Sequence, residues 1–121
     1  MKLHQAMIFV KRMDLMTTFY RDGLGLKVLP KKSEEGFVVF DAGGVTLALH
    51  AIPGPIAKTI EIGDPPVARS DTAIKLLFEV SNVEEARIHL ARHGAIMSEP
   101  HGWGGCDGTD PEGNVFMIVG R

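Results

Sequence analysis

The sequence predicts an α+β fold built from two tandem βαβββ modules. Three observations predict it: the order strand, helix, three strands reads twice along the chain, a nine-residue segment recurs in register, and apolar residues alternate in the strand-like runs. At 121 residues the chain has room for one ordinary domain. Its 45% hydrophobic and 23% charged residues are the balance of a folded globular protein.

Residues 3–10, Leu-His-Gln-Ala-Met-Ile-Phe-Val, are β-prone, and Asp14 is the expected N-cap of a helix carrying Leu15, Met16, Phe19 and Tyr20 at helical spacing. Gly23 or Gly25 ends that helix. Extended stretches are expected at 26–30, 36–41 and 45–51, the last two joined across Asp41-Ala42-Gly43-Gly44, whose glycines suit a tight hairpin. Around Pro53, Pro55, Pro65 and Pro66 no periodicity survives, so a connector at 54–72 is expected between modules at 1–53 and 73–121. A strand at 73–80 follows. Asn82 with Glu85 then makes a capping-box-like start for a helix through His93, ended by Gly94. Strands near 95–98, 103–109 and 114–120 complete the second module.

The repeat is testable residue by residue. Asp41-Ala42-Gly43-Gly44-Val45-Thr46-Leu47-Ala48-Leu49 lies over Asp110-Pro111-Glu112-Gly113-Asn114-Val115-Phe116-Met117-Ile118 without a gap. Any two hairpins share Asp and Gly for turn reasons, but the common element order before each makes duplication the better account.

Thirteen basic against fifteen acidic side chains give a net charge of −2, which supplies no field for a phosphate backbone, so nucleic acid is not an expected partner. No apolar run approaches the roughly 18 residues needed to cross a bilayer, and the first residues lack the apolar core of an export signal. No membrane partner and a cytoplasmic location are expected. Cys106 is the single cysteine, so neither an internal disulfide nor a multi-cysteine zinc cage can form, and any metal would need His, Asp, Glu or Gln.

Alternate side chains of a strand point to opposite faces. At 73–80, Ile74, Leu76, Phe78 and Val80 form an apolar, helix-facing set, opposed by Lys75, Leu77 and Glu79. At 45–51 the mixed set is Thr46, Ala48 and His50, and at 3–10 it is Gln5, Met7 and Phe9. Such a mixed face reads in two ways: the wet side of an antiparallel sheet, or the wall of a small-molecule pocket. Met7, Phe9, Leu77 and Met117 favour the pocket.

Phe19-Tyr20 followed by Gly23-Leu24-Gly25-Leu26, Trp103-Gly104-Gly105, and Asp110-Pro111-Glu112-Gly113-Asn114 before the last strand together resemble the vicinal oxygen chelate superfamily of glyoxalases, bleomycin-resistance proteins and dioxygenases. The resemblance implies paired modules forming a cupped mixed sheet, commonly within a homodimer. It also implies a divalent-metal site in the metal-dependent members, whose ligand positions fall on Gln5, Ala48, Lys75 and Met117. Only Gln5 could ligate a hard cation there, so no cofactor is expected. A runner-up ligand set is His4, His50 and Glu79, for zinc, nickel, manganese or iron.

The expected function is metal-independent binding of a small anionic or aromatic molecule. Gln5, His50 and Lys75 would supply polar contacts, while Met7, Phe9, Trp103 and Met117 would supply apolar walls. The alternative is a divalent-metal lyase, isomerase or dioxygenase with displaced ligands. Lys75 is expected to meet water, Glu79 or an anion. Trp103, among glycines, reads either as a flap over a ligand or as a loop anchor, with His101 and Asp107 at the mouth. His89 and His93 share one face of the second helix.

Overall fold

The computed structural model describes the whole chain, from Met1 to Arg121. Contacts divide it into two compact units, Met1–Glu61 and Ile62–Arg121, so the segment expected as a connector is shared between them.

In the first unit the strands are β1 (Gln5–Val10), β2 (Lys27–Val28), β3 (Phe37–Asp41) and β4 (Thr46–Ala51), in the sheet order β1-β4-β3-β2. β1 runs parallel to β4 and the other pairs are antiparallel. A return in the same direction needs a crossover, which helix α1 (Met13–Thr18) and the π-helical turn Phe19–Gly23 supply. That crossover buries Met16, Phe19 and Tyr20, and the same core holds Val10, Phe40, Leu47 and Leu49. Tyr20 and Phe40 meet ring to ring at 6.3 Å. Each such side chain contributes about 2 kcal/mol on leaving water.

The second unit repeats the order with β5 (Leu76–Val80), α3 (Val83–Arg92), β6 (Ile96–Met97), β7 (Cys106–Thr109) and β8 (Val115–Gly120), in the sheet order β5-β8-β7-β6. Again the outer pair, β5 with β8, is parallel and the rest are antiparallel. Asn82 caps α3 by accepting the Glu85 amide at 2.9 Å, and Gly94 ends it at φ +102°, a conformation costly for any residue with a Cβ.

Several local expectations need correction. Asp14 is not an N-cap: Arg12 holds that position without a side-chain cap, and Asp14 lies inside the first turn, where its charge complements the helix dipole. The segment after Pro53 forms a short helix, α2 (Gly54–Ala57), rather than pure coil. Strand β5 starts at Leu76, not at residue 73, so Ile74 does not join the helix-facing set. It is 70% exposed. β7 starts at Cys106, which leaves Trp103 in the preceding turn. Alternation alone cannot show where pairing stops.

Candidate functional site

In the first unit, the pairing register places Gln5 opposite Thr46, Met7 opposite Ala48 and Phe9 opposite His50 on one sheet face, with Phe37 beyond His50. Gln5 Nε2 donates to Thr46 Oγ1 at 2.9 Å, so its amide is already engaged. The His50 ring stands 5.4 Å from Phe9 and 5.8 Å from Phe37, and its Nδ1 lies 2.9 Å from the Ala51 carbonyl. Because a carbonyl only accepts, Nδ1 carries the proton in that contact. Met7 and Phe9 remain exposed, at 44% and 57%. His4 is exposed just before β1, where its carbonyl accepts the Thr46 amide.

In the second unit, Leu77, Met117 and Asp107 fall in one cross-strand row. Lys75 stands just before β5, and its Nζ donates to Asp107 Oδ1 at 2.9 Å. Glu79, one of the partners expected for it, instead lies 3.6 Å from Arg121. Asp107 Oδ2 is 2.6 Å from His101 Nε2. A carboxylate offers no proton, so His101 donates through Nε2 and, when neutral, keeps Nδ1 as its bare acceptor. The hydrogen bond from Lys75, then that from His101, hold the Asp107 carboxyl below its ordinary range against the opposing effect of burial.

Trp103 stacks on His101, with ring centroids 5.5 Å apart and planes within 3°. The indole also lies over Gly105, where a Cβ would overlap the ring. Trp103 is thus an exposed platform on the loop before β7. Met117 is nearly buried, whereas Leu77 beside it is exposed. Cys106 is buried with Sγ 3.2 Å from the Ser98 carbonyl, and desolvation pushes its thiol pKa up, which makes it a poor nucleophile. His89 and His93 meet at 4.2 Å between ring centroids, with His93 Nδ1 turned to the His89 carbonyl.

A cleft of about 580 Å³ opens beside this network. One wall comes from the segment before β5, including Pro66, Ala68, Ala73 and Ile74, and the other from Met97, Ser98, Thr109 and Val115 of the sheet. Lys75 and Asp107 line it as well. The segment is tied down where the Arg69 amide donates to the Gly113 carbonyl at 2.9 Å and the Val67 carbonyl packs on Gly113, leaving no room for a Cβ. Thr109 is 8% exposed, and its Oγ1 has no hydrogen-bond partner.

Of the residues singled out in the sequence, Lys75 lines this cleft together with Asp107, expected at a mouth, whereas Thr109 and the wall from residues 66–74 carry no mark there. A proline-rich stretch without periodicity gives no signal of what it packs against.

A family model described as the Glyoxalase/Bleomycin resistance protein/Dioxygenase superfamily matches residues 2–118. The chain belongs to this superfamily. Among solved structures, a glyoxalase/bleomycin resistance protein/dioxygenase family enzyme from Burkholderia phytofirmans PsJN matches with a TM-score of 0.77 and 20% identity, covering 99% of this chain and 98% of that one. A protein of unknown function from Agrobacterium tumefaciens str. C58 is 27% identical with a TM-score of 0.72, over 100% and 94% of the two chains. Lactoylglutathione lyase from Agrobacterium tumefaciens gives 0.65 at 20% identity, over 98% and 92%. Likeness at 20% identity speaks for the shared fold alone. No curated protein sequence matches the chain.

The four positions that the resemblance implies for a metal site can be judged by their donors. Gln5 brings one neutral amide already bonded to Thr46, Ala48 a buried methyl, Lys75 a cation paired with Asp107, and Met117 a thioether. Those four side chains do not fit a hard divalent ion, which calls for anionic or several neutral oxygen and nitrogen donors. Nowhere does the chain gather three or more His, Cys, Asp or Glu side chains in a metal-binding group, and the set His4, His50 and Glu79 is no exception. No helix is long and apolar enough to cross a membrane.

Proposed function

We propose that this superfamily member binds a small organic molecule, without a metal ion, in the cleft of its second unit. The observation that carries the reading is the cleft itself: about 580 Å³, within the size range of ligand sites, with mostly apolar walls and a few convergent polar groups at Lys75, Asp107, Ser98 and Thr109. Lys75 is the one sequence-expected contact on those walls. Trp103, stacked on the histidine that bonds Asp107, supplies an aromatic surface at the same network. In the first unit, Gln5, Met7, Phe9 and His50 enter the proposal as a second, mainly apolar surface.

The reading includes a homodimer, which the exposed Met7, Phe9 and Leu77 support because large apolar groups in the open favour association. Sedimentation should show twice the chain mass, and a monomer at all concentrations would remove that part.

A thermal-shift screen with small aromatic, anionic and neutral compounds, run with and without EDTA, tests the function. A ligand at 100 times its dissociation constant should stabilise by about 2.7 kcal/mol, equally with the chelator present. Stabilisation that vanishes in EDTA, with stoichiometric zinc, nickel, manganese or iron lost on His50→Ala, would establish the metal-dependent lyase, isomerase or dioxygenase instead.

A further inference from the structure

Thr109 carries a hydroxyl where shape alone would be served by a methyl. The residue is 8% exposed and Oγ1 finds no partner, yet its neighbours across the sheet, Ile96 and Val115, line the same cleft. A buried hydroxyl without a hydrogen bond weakens the folded state, and valine would fill the same space without that defect. One step of about 120° between staggered χ1 rotamers carries the hydroxyl to the place the methyl held and the methyl to that of the Cβ hydrogen. The defect is removed when a ligand brings a partner.

The charged side chains nearby narrow what that partner is. Lys75 and Asp107 pair at 2.9 Å, and His101 Nε2 lies 2.6 Å from the other oxygen of the same carboxylate. An anion approaching Lys75 would meet the like charge of the Asp107 carboxylate beside it, whereas a neutral group need only meet Thr109. The remaining walls, from Pro66, Ala68, Ile74, Met97 and Val115, suit an apolar body.

From this placement we infer that the cleft takes an apolar small molecule with one neutral hydrogen-bonding head, a carbonyl or a hydroxyl, and that Thr109 reads the head; the inference rests on the ligand-binding reading above. It refines the anionic or aromatic ligand expected from sequence, because the Lys75 charge is already committed.

Protein-observed NMR titrations of the full chain with benzyl alcohol, toluene and benzoate test it. The wild type should prefer benzyl alcohol to toluene by about 5-fold, the value of one ordinary hydrogen bond. Thr109→Val should bring that ratio to one while toluene binds as before, and should raise the melting midpoint of the free protein by about 3 °C. Thr109→Ser, which keeps the hydroxyl, should retain the preference. An unchanged ratio in Thr109→Val, a lowered midpoint in that variant, or tighter binding of benzoate than of benzyl alcohol would each overturn the inference while leaving cleft binding intact. If none of the three probes moves Ala73, Ser98 or Thr109, the binding reading itself fails.

Discussion

The two duplicated turns begin alike and end in different roles. In the first unit Asp41 Oδ1 accepts only the Gly43 amide, at 2.9 Å and in the open, and a Cβ on Gly44 would meet nothing within 4 Å. In the second unit Asp110 is fully buried, and its Oδ1 accepts the amides of Glu112 at 2.9 Å and Asn114 at 3.0 Å, while Oδ2 accepts Asn114 Nδ2 at 2.9 Å. Gly113, the counterpart of Gly44, seats the Val67 carbonyl. Both glycines need positive φ, +93° and +87°, so the turn explains each. Only the second also holds a neighbouring segment, and that segment walls the cleft. One copy of the motif stayed a hairpin while the other became the anchor of a site.

Substitutions at matched positions should expose this difference. The largest effect is expected from Asp110→Ala, which strands several buried donors and should cost about 3 kcal/mol in urea unfolding, against about 0.5 kcal/mol for Asp41→Ala. Equal costs would dissolve the contrast. Gly44→Ala should cost about 1 kcal/mol for left-handed backbone alone. Gly113→Ala should cost roughly twice that or more, because the Val67 carbonyl must also move, and it should speed hydrogen exchange at the Arg69 amide. Unchanged exchange at Arg69 would show that the segment is held some other way.

A smaller effect belongs to Asp107. Its pKa is lower folded than unfolded, so its contribution is present above the ordinary carboxylate value of about 3.9 and fades as pH falls through the depressed folded value. Side chains around a third or more exposed limit that contribution to under about 1 kcal/mol. Asp107→Asn should therefore flatten the acid limb of the stability curve below about pH 4, and an unaltered limb would contradict the network. Smallest in energy is Gly105→Ala, within about 0.5 kcal/mol. It should nonetheless push the indole off His101 and change the Trp103 fluorescence, as His101→Ala also should.

Much of the architecture was legible because period-2 alternation, the Asn82 cap and the repeated Asp-Gly turn are local signals that tertiary packing did not override. The mixed faces favoured a pocket in the sequence, whereas Met7, Phe9 and Leu77 stand exposed and none of them lines the cleft. What escaped depended on contacts distant in sequence. Lys75 could be seen as a cation that would meet water, an anion or Glu79, the carboxylate four residues on, whereas Asp107 is 32 residues on. Residues 66–72 read as part of a connector and 73–74 as the start of a strand, because nothing in them announces the turn at Gly113. Thr109 carries no mark in the sequence, since an unpaired hydroxyl is a property of surroundings.

The account depends on the second unit being where a small molecule lodges. A chemical-shift map of the full chain with benzyl alcohol in EDTA examines that directly. Movement strongest at Ala73, Ser98, Gly108 and Thr109 is the result expected. Shifts confined to Met7, Phe9 and His50, or appearing only after zinc or manganese is supplied, would contradict it.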